Sequence, residues 1–287
     1  MLKCIFCGEE YPEEINETHC FCGNSKAEYT NLYSTSIKNY PFKESPLEKC
    51  SKDVFLKRED KNEFGSFKDR KSTFIYHILT SGKFALASSG NQAYSFAKIC
   101  PTYAWNTYLY VSPETPIKKL KLLEAYKEIE VTDKILSDAE LRKFEDDRWN
   151  ITNGMDPFGA SALYKLGMEL ESHDFDNIIV PLGSGELYSM LAVYFNILRN
   201  KHINIYPVKC NLPEADSIKT DFVAMEPFIE KQVGNQKPLE LGPSETDDIR
   251  ELADAYGCEF SSAVVFKALD YLNLVGKTCL LITGAKK

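Results

Sequence analysis

The chain has 287 residues, of which 44% are hydrophobic and 12% aromatic, enough apolar material to bury a large core in one large or two ordinary domains. Its net charge of −8 excludes the broad basic surface that a general nucleic-acid or acidic-membrane binder needs. The opening "MLKCIFCGEEYPEE" has no apolar core like that of a secretory signal, and no apolar run approaches the roughly 20 residues that span a bilayer, so a cytoplasmic protein is expected.

Taken in chain order, the first feature is cysteine spacing. "CIFCGEEYPEEINETHCFCGN" holds Cys4, Cys7, Cys20 and Cys22, each pair followed by a glycine, Gly8 and Gly23. Glycine there permits a tight knuckle with backbone N–H groups aimed at thiolate sulfur. Four thiolates suit a tetrahedral structural zinc, with no position left for a catalytic water. About 30 residues cannot bury a core alone, so the metal would supply folding energy. A loose reduced tail, a redox pair, or His19 as a substitute ligand are the alternatives. The remaining cysteines, Cys50, Cys100, Cys210, Cys258 and Cys279, are scattered and read as ordinary thiols.

Residues 25–44 are polar and aperiodic and read as a linker. "DVFLKRE" then predicts a strand, and "SFKDRKSTFIYHILTSG" a helix stopping at Gly82. "KFALASSG" predicts a buried strand, "NQAYSFAKIC" a helix, "NTYLYVS" a strand, "PIKKLKLLEAY" a helix and "EIEVTD" a short strand. "PFGASALYKLGMELES" predicts one helix. "NIIVPLGSGELYSMLAVYFNILRN" predicts a strand, a glycine turn and a helix, and "INIYPVKC" and "KTCLLITG" predict further strands. Unbroken apolar strands alternating with helices indicate an α/β fold with covered parallel sheets. The polar stretch 209–248 has no clear assignment.

Three strand ends carry chemistry. In "VPLGSGEL", Gly183 and Gly185 let backbone approach a ligand at a helix start, which suits a phosphate. The third glycine of a dinucleotide turn is replaced by Tyr188, and a Walker lysine is absent. In "ASSGNQA", Ser88, Ser89, Gly90 and Asn91 can hold a carboxylate or simply cap a helix. "LITG" delivers Thr283 to a strand's carboxyl end, where open α/β sheets bind ligands. With these goes Lys68, set after a glycine turn beside Phe67. An amine there can form a Schiff base with a cofactor bearing both an aldehyde and a phosphate, and an apolar neighbour helps lower its pKa.

The stretch "SPLEKCSKDVFLKREDKNEFGSFKDR" resembles threonine synthases and their relatives, the pyridoxal-phosphate enzymes of the tryptophan-synthase-β type, fold type II. Ser45–Pro46–Leu47 matches their T-P-L, and Gly65 to Arg70 their G-S-F-K-D-R. "SSGN", "VPLGSGEL", "SSAVVFKAL" and "LITG" are similar to further family segments, in family order. Threonine synthases also often begin with paired cysteines.

The resemblance implies two three-layer α/β domains after a zinc-ribbon-like segment at 1–30. The catalytic region is 31–287, with a smaller α/β domain inserted at about 75–160. It also implies pyridoxal 5'-phosphate as cofactor. Lys68 would hold the cofactor's aldehyde and later move the substrate's α-proton. Asn91 would bond the ring oxygen. The backbone of Gly183, Ser184, Gly185, Glu186 and Leu187 would hold the phosphate, and Thr283 would face the ring nitrogen. Ser88, Ser89, Gly90 and Asn91 would take the substrate carboxylate.

The implied activity is elimination or replacement on a small amino acid, as in threonine synthase. A dehydratase or sulfhydrylase type and a non-catalytic paralogue are the alternatives, and a homodimer is compatible with either. The family's N-P-T is here Asn62–Glu63–Phe64, Glu186 follows the second loop glycine, and "DPFGASALYKLG" lacks the arginine that would clamp a substrate phosphate. These departures weigh against O-phosphohomoserine as substrate.

Overall fold

The structure, a computed structural model, describes residues 1–4, 7–11, 32–79, 81–88, 90–115, 117–145, 147–219, 223, 225, 229 and 237–286. The chain divides into two compact units, one of Met1–Phe42 with Lys68–Ala162, the other of Lys43–Phe67 with Leu163–Lys287. In chain order the strands are β1 (Leu2–Cys4), β2 (Glu10–Tyr11), β3 (Leu32–Ser34), β4 (Leu47–Lys49), β5 (Val54–Arg58), β6 (Phe84–Ala87), β7 (Thr107–Val111), β8 (Glu128–Val131), β9 (Trp149–Asn150), β10 (Asn177–Pro181), β11 (Asn204–Cys210), β12 (Leu239–Leu241) and β13 (Thr278–Ile282). The helices are α1 (Lys68–Ile78), α2 (Asn91–Ile99), α3 (Pro101–Ala104), α4 (Ile117–Lys121), α5 (Ile135–Glu145), α6 (Pro157–Ala160), α7 (Leu163–Glu171), α8 (Glu186–Ala192), α9 (Thr246–Tyr256) and α10 (Phe260–Lys267). Among the described residues no helix is long and apolar enough to cross a membrane.

The first unit holds a parallel sheet in the order β8-β7-β6-β9 and a small antiparallel sheet in the order β2-β1-β3. All four residues of β6 are buried, as expected of a strand covered on both faces. Its alanines Ala85 and Ala87 pack with Tyr110 and with Ala139 of α5, small residues that let the helix come close. On α1 and α2, Ser95 donates to Ser72 at 3.1 Å. The linker expected at 25–44 is corrected for its described part. Ser34, Ile37 and Tyr40 are buried. Ser34 N–H donates to Ser161 Oγ, Tyr40 Oη donates to Ala162 O at 3.3 Å, and the Tyr40 ring meets Phe74 at 5.1 Å.

The second unit holds a six-stranded mixed sheet in the order β12-β11-β10-β13-β5-β4, parallel except for β4 at one edge. The central strands β10 and β13 are buried throughout, which is why they read as continuous apolar runs. Leu56, Ile179, Val208, Leu280 and Ile282 form one core with Ile249 of α9 and Val264 and Val265 of α10. In α7, Gly167 admits the Tyr194 ring, since a Cβ there would lie 2.5 Å from Tyr194 Cδ1.

Two helix expectations are corrected. "PFGASALYKLGMELES" forms α6 and α7 rather than one helix, because Ser161 and Ala162 bond to Ser34 and Tyr40. The helix begun by α8 continues over Val193–Leu198 as a π-helix.

Candidate active site

In the second unit, β10, β13 and β5 are parallel neighbours, so the segments leaving them share one carboxyl edge. After β10 the chain runs through Gly183, Ser184 and Gly185 into α8. Gly185 has φ +88°, a left-handed conformation that favours glycine. A Cβ there would also lie 2.9 Å from Met225 Cβ, 3.0 Å from Val223 Cγ1 and 3.1 Å from Ile229 Cδ1. Ser184 O accepts from Met225 N at 3.0 Å. Among the described residues no acceptor meets the backbone N–H groups of Gly183, Ser184 or Gly185. Three donors before a helix start are thus open to an acceptor beyond the described residues. Glu186 is 1% exposed in the first turn of α8, where the helix dipole favours a carboxylate.

After β13 comes Thr283, which is 4% exposed. Ser262 Oγ, on α10, accepts the N–H of Thr283 at 3.1 Å and of Gly284 at 2.8 Å. Ser262 Oγ and Thr283 Oγ1 share a hydrogen bond at 2.9 Å in which either hydroxyl can donate, and Ser262 Oγ also donates to Gly284 O at 3.4 Å. Glu259, which accepts from Ser217 Oγ at 2.9 Å, fills the space a Cβ on Gly284 would need.

After β5 the chain turns through Gly65, with φ +83°, to Ser66 and Phe67. Phe67 N–H donates to Thr283 O at 3.1 Å, and Ala285 N–H to Gly65 O at 2.8 Å. Asn62 braces this turn, its Nδ2 donating to Ser66 O at 3.2 Å and to Glu59 Oε2 at 2.9 Å. Ser45 Oγ donates to Glu59 Oε1. The turn is thus fixed by a fully buried Glu59 that the sequence reading did not single out. The signal available for it was its place directly after the predicted strand.

Lys68 follows Phe67 by one peptide bond and begins α1 in the first unit, half-buried. Lys57, 1% exposed, pairs with Glu169 at 2.8 Å and donates to Ser45 O at 2.8 Å. Lys71 pairs with Asp156 at 3.3 Å. The Arg70 guanidinium lies 4.7 Å over the Phe42 ring.

In the same unit, β6 is followed by Ser88, whose Oγ accepts the Gly90 N–H at 3.3 Å, and Asn91 opens α2. The capping-turn geometry and an anion-binding role are compatible here, because Ser88 N–H is spent on Tyr110 O at 3.2 Å while its hydroxyl proton is not. Ser89 lies outside the described residues, as do Cys20 and Cys22. Cys4 is buried and Cys7 exposed. Gly8, next to Cys7 and with φ +75°, donates its N–H to Cys4 O at 3.1 Å. Among the described residues no group of three or more His, Cys, Asp or Glu is placed to hold a metal.

Residues 33–281 match the family described as pyridoxal-phosphate dependent enzyme. No curated protein matches the chain significantly. Among solved structures, the O-acetylserine dependent cystathionine beta-synthase from Helicobacter pylori is similar with TM-score 0.70 and 17% identity, over 88% of this chain and 95% of that one. Maize serine racemase gives TM-score 0.69 and 16% identity, over 85% and 89%. Threonine deaminase isoform 2 from Solanum lycopersicum gives 0.66 and 20%, over 88% and 86%. At these identities the likeness is one of fold.

Proposed function

Because the chain belongs to the pyridoxal-phosphate dependent enzyme family, with its fold type II α/β architecture, we propose that it catalyses elimination or replacement on a small amino acid. The observation that carries this reading is the shared carboxyl edge of β10, β13 and β5. It presents three N–H groups without an acceptor among the described residues, the Thr283 hydroxyl and the Gly65–Phe67 turn that leads into Lys68.

These residues fit the cofactor. The backbone N–H groups of Gly183–Leu187 would take its phosphate, Thr283 Oγ1 its ring nitrogen, and the Lys68 amine its aldehyde. When bound, the cofactor supplies an aldehyde that condenses with amines and a conjugated ring that draws electrons from the substrate's Cα. Lys68 Nζ would be the group that takes the Cα proton. Asn91 would bond the ring oxygen, and Ser88, Ser89 and Gly90 with Asn91 would orient the substrate carboxylate. A neutral hydroxyl donor at the ring nitrogen leaves that nitrogen unprotonated, which restrains charge delocalisation and favours loss of a leaving group over prolonged exchange at Cα.

Threonine synthase chemistry is one form of this reaction. The segment "DPFGASAL" favours a different form. It supplies no arginine, and its Asp156 is buried against Lys71. A dianionic side chain would lack charge-assisted donors each worth roughly 1.5–3 kcal/mol. A hydroxyl or O-acyl leaving group is therefore favoured, and the amino-acid chemistry named for the three similar structures agrees with a small substrate. The test is turnover of serine, threonine, O-acetylserine and O-phosphohomoserine side by side. Threonine release from O-phosphohomoserine at kcat/KM of about 10⁴ M⁻¹s⁻¹ or more, the low end for ordinary enzymes, would restore the threonine synthase reading.

For the first 30 residues the reading is a structural zinc on Cys4, Cys7, Cys20 and Cys22, supported by the Gly8 turn beside Cys4. Reduced scattered thiols and the lack of a membrane-spanning helix among the described residues support a cytoplasmic location.

A further inference from the structure

The four-stranded sheet of the first unit has an open edge. Strand β8 ends the order β8-β7-β6-β9, and all four of its residues, Glu128 to Val131, are exposed. Ile129 and Val131 lie beside Leu109 and Val111 of β7, on the same face of the sheet. Leu109 and Val111 are fully buried, whereas Ile129 is 39% and Val131 58% exposed. The apolar face of the sheet thus runs past its own cover at this edge. Within β8 there is no proline and no lysine, the usual devices that keep strand edges apart.

The direction of the backbone groups limits how another strand can join. Thr132 N–H donates to Val111 O at 3.0 Å, so by the alternation of a strand Glu128, Glu130 and Thr132 bond towards β7. The N–H and C=O groups of Ile129 and Val131 therefore point away from the sheet, and among the described residues no backbone group beyond β7 meets them. An added antiparallel strand has to set its own bonding residues opposite these two. If that strand is β8 of a second copy, related by a two-fold axis, the pairing is centred on Ile129, on Glu130 or on Val131.

Charge chooses among the three. Centred on Ile129, the pairing sets Glu128 opposite the partner's Glu130, and centred on Glu130 it sets Glu130 opposite the partner's Glu130. Like charges directly opposite destabilise a strand pair. Lys127, which would face the partner's Asp133 in the second arrangement, is held over the Trp105 ring at 4.5 Å. Centred on Val131, the pairing sets no carboxylates opposite each other. It brings Val131 against the partner's Val131, and Glu128 towards the partner's Lys134 twice by symmetry; Ile129 then falls beside the partner's Asp133, at the exposed end of the ladder. An edge acidic before its centre and basic after it is self-complementary in an isologous pairing. We propose that the chain forms a two-fold dimer through β8, centred on Val131, which joins two four-stranded sheets into one of eight.

The test is the mass in solution, by sedimentation of the full chain at micromolar concentration. The wild type should have twice the 32.6 kDa of one chain. Val131→Pro removes an N–H that points away from β7, which an edge strand tolerates, and should give the mass of one chain. Ile129→Lys replaces an exposed side chain and should do the same, so it guards against a folding defect in the proline variant. A charge exchange then reads the register. Glu128→Lys and Lys134→Glu should each weaken dimerisation at least about fivefold, since two attractive pairs become repulsive. The double variant should return to within about threefold of the wild type, as coupled partners do. A wild type with the mass of one chain would overturn the proposal, and so would a dimer that survives both Val131→Pro and Ile129→Lys. Charge variants whose losses merely add would overturn the pairing centred on Val131. The readout is mass, so it holds whether or not the proposed reaction is found.

Discussion

Ser262 and Thr283 join their hydroxyls at 2.9 Å, while Ser262 Oγ also accepts the backbone N–H of Thr283 and of Gly284. One buried oxygen thus fixes both the backbone after β13 and the position of the Thr283 hydroxyl. Ser262→Ala should strand two buried donors and cost about 1–3 kcal/mol, read as a lower urea midpoint. It should also weaken cofactor retention, because Thr283 Oγ1 loses the neighbour that orients it. A variant with wild-type stability and cofactor content would remove Ser262 from the site.

Lys68 is expected to carry the cofactor. Borohydride reduction and peptide mapping should place the adduct there, at the residue that directly follows the Gly65–Phe67 turn. Lys68→Ala should lose roughly 10²–10⁴-fold in turnover, the range for a proton-transfer group, and its bound-cofactor absorbance. An adduct on Lys57 or Lys71 would overturn the assignment.

Gly185→Ala places a methyl at φ +88°, within 2.9 Å of Met225 Cβ. The strain should be about 1–3 kcal/mol, and the loop should bind phosphate poorly. Inorganic phosphate would then protect the wild type, but not the variant, against thermal unfolding. Equal protection of both would mean that the anion binds elsewhere.

Acid stability should report on Glu245. Hydrogen bonds from Tyr271 Oη, Ser244 Oγ and the Gly242 N–H hold its carboxyl down to about 2. Because the folded value lies below the unfolded one, near 4.5, the charged form stabilises the fold above that value. The contribution fades as the pH falls from about 4.5 towards 2. Tyr271→Phe should therefore be less stable at neutral pH and lose less on acidification, so melting curves of the two proteins should converge near pH 2. Parallel curves would show that the Tyr271 bond does not shift Glu245.

Zinc should be found at about one ion per chain. Cys20→Ser should release it while leaving cofactor absorbance largely intact, since the proposed cofactor residues are all at or beyond Phe67. Metal-free purified protein with the wild-type melting profile would make the four cysteines ordinary thiols.

The strands most legible in the sequence were those whose signal is local and apolar. β5 reads as a strand, β6 as a buried run and β10 and β13 as apolar strands, and the glycine turns after β10 and β5 follow those strands in the structure. What escaped depends on distant partners. The break between α6 and α7 follows from bonds to Ser34 and Tyr40, 127 and 122 residues away in sequence, which no periodicity can register. The same bonds turn an apparently aperiodic linker into packed structure. Glu59 looked like one more charge after a strand. Its burial follows from Ser45 and Asn62 meeting it from either side. Ser262 lies in an apolar helix, and only the return of β13 beside it gives its hydroxyl a task.

The position of β13 also bears on how the protein is made. It lies between β10 and β5 in the sheet yet follows every other strand of that sheet in the chain. While the polypeptide is emerging from the ribosome, β12, β11 and β10 on one side and β5 and β4 on the other have no common neighbour, and each group offers a raw edge. The sheet can close only after Ile282 has left the exit tunnel. Chaperone occupancy should therefore persist until β13 has emerged, and a stall just short of Thr278 should yield two half-sheets prone to aggregate.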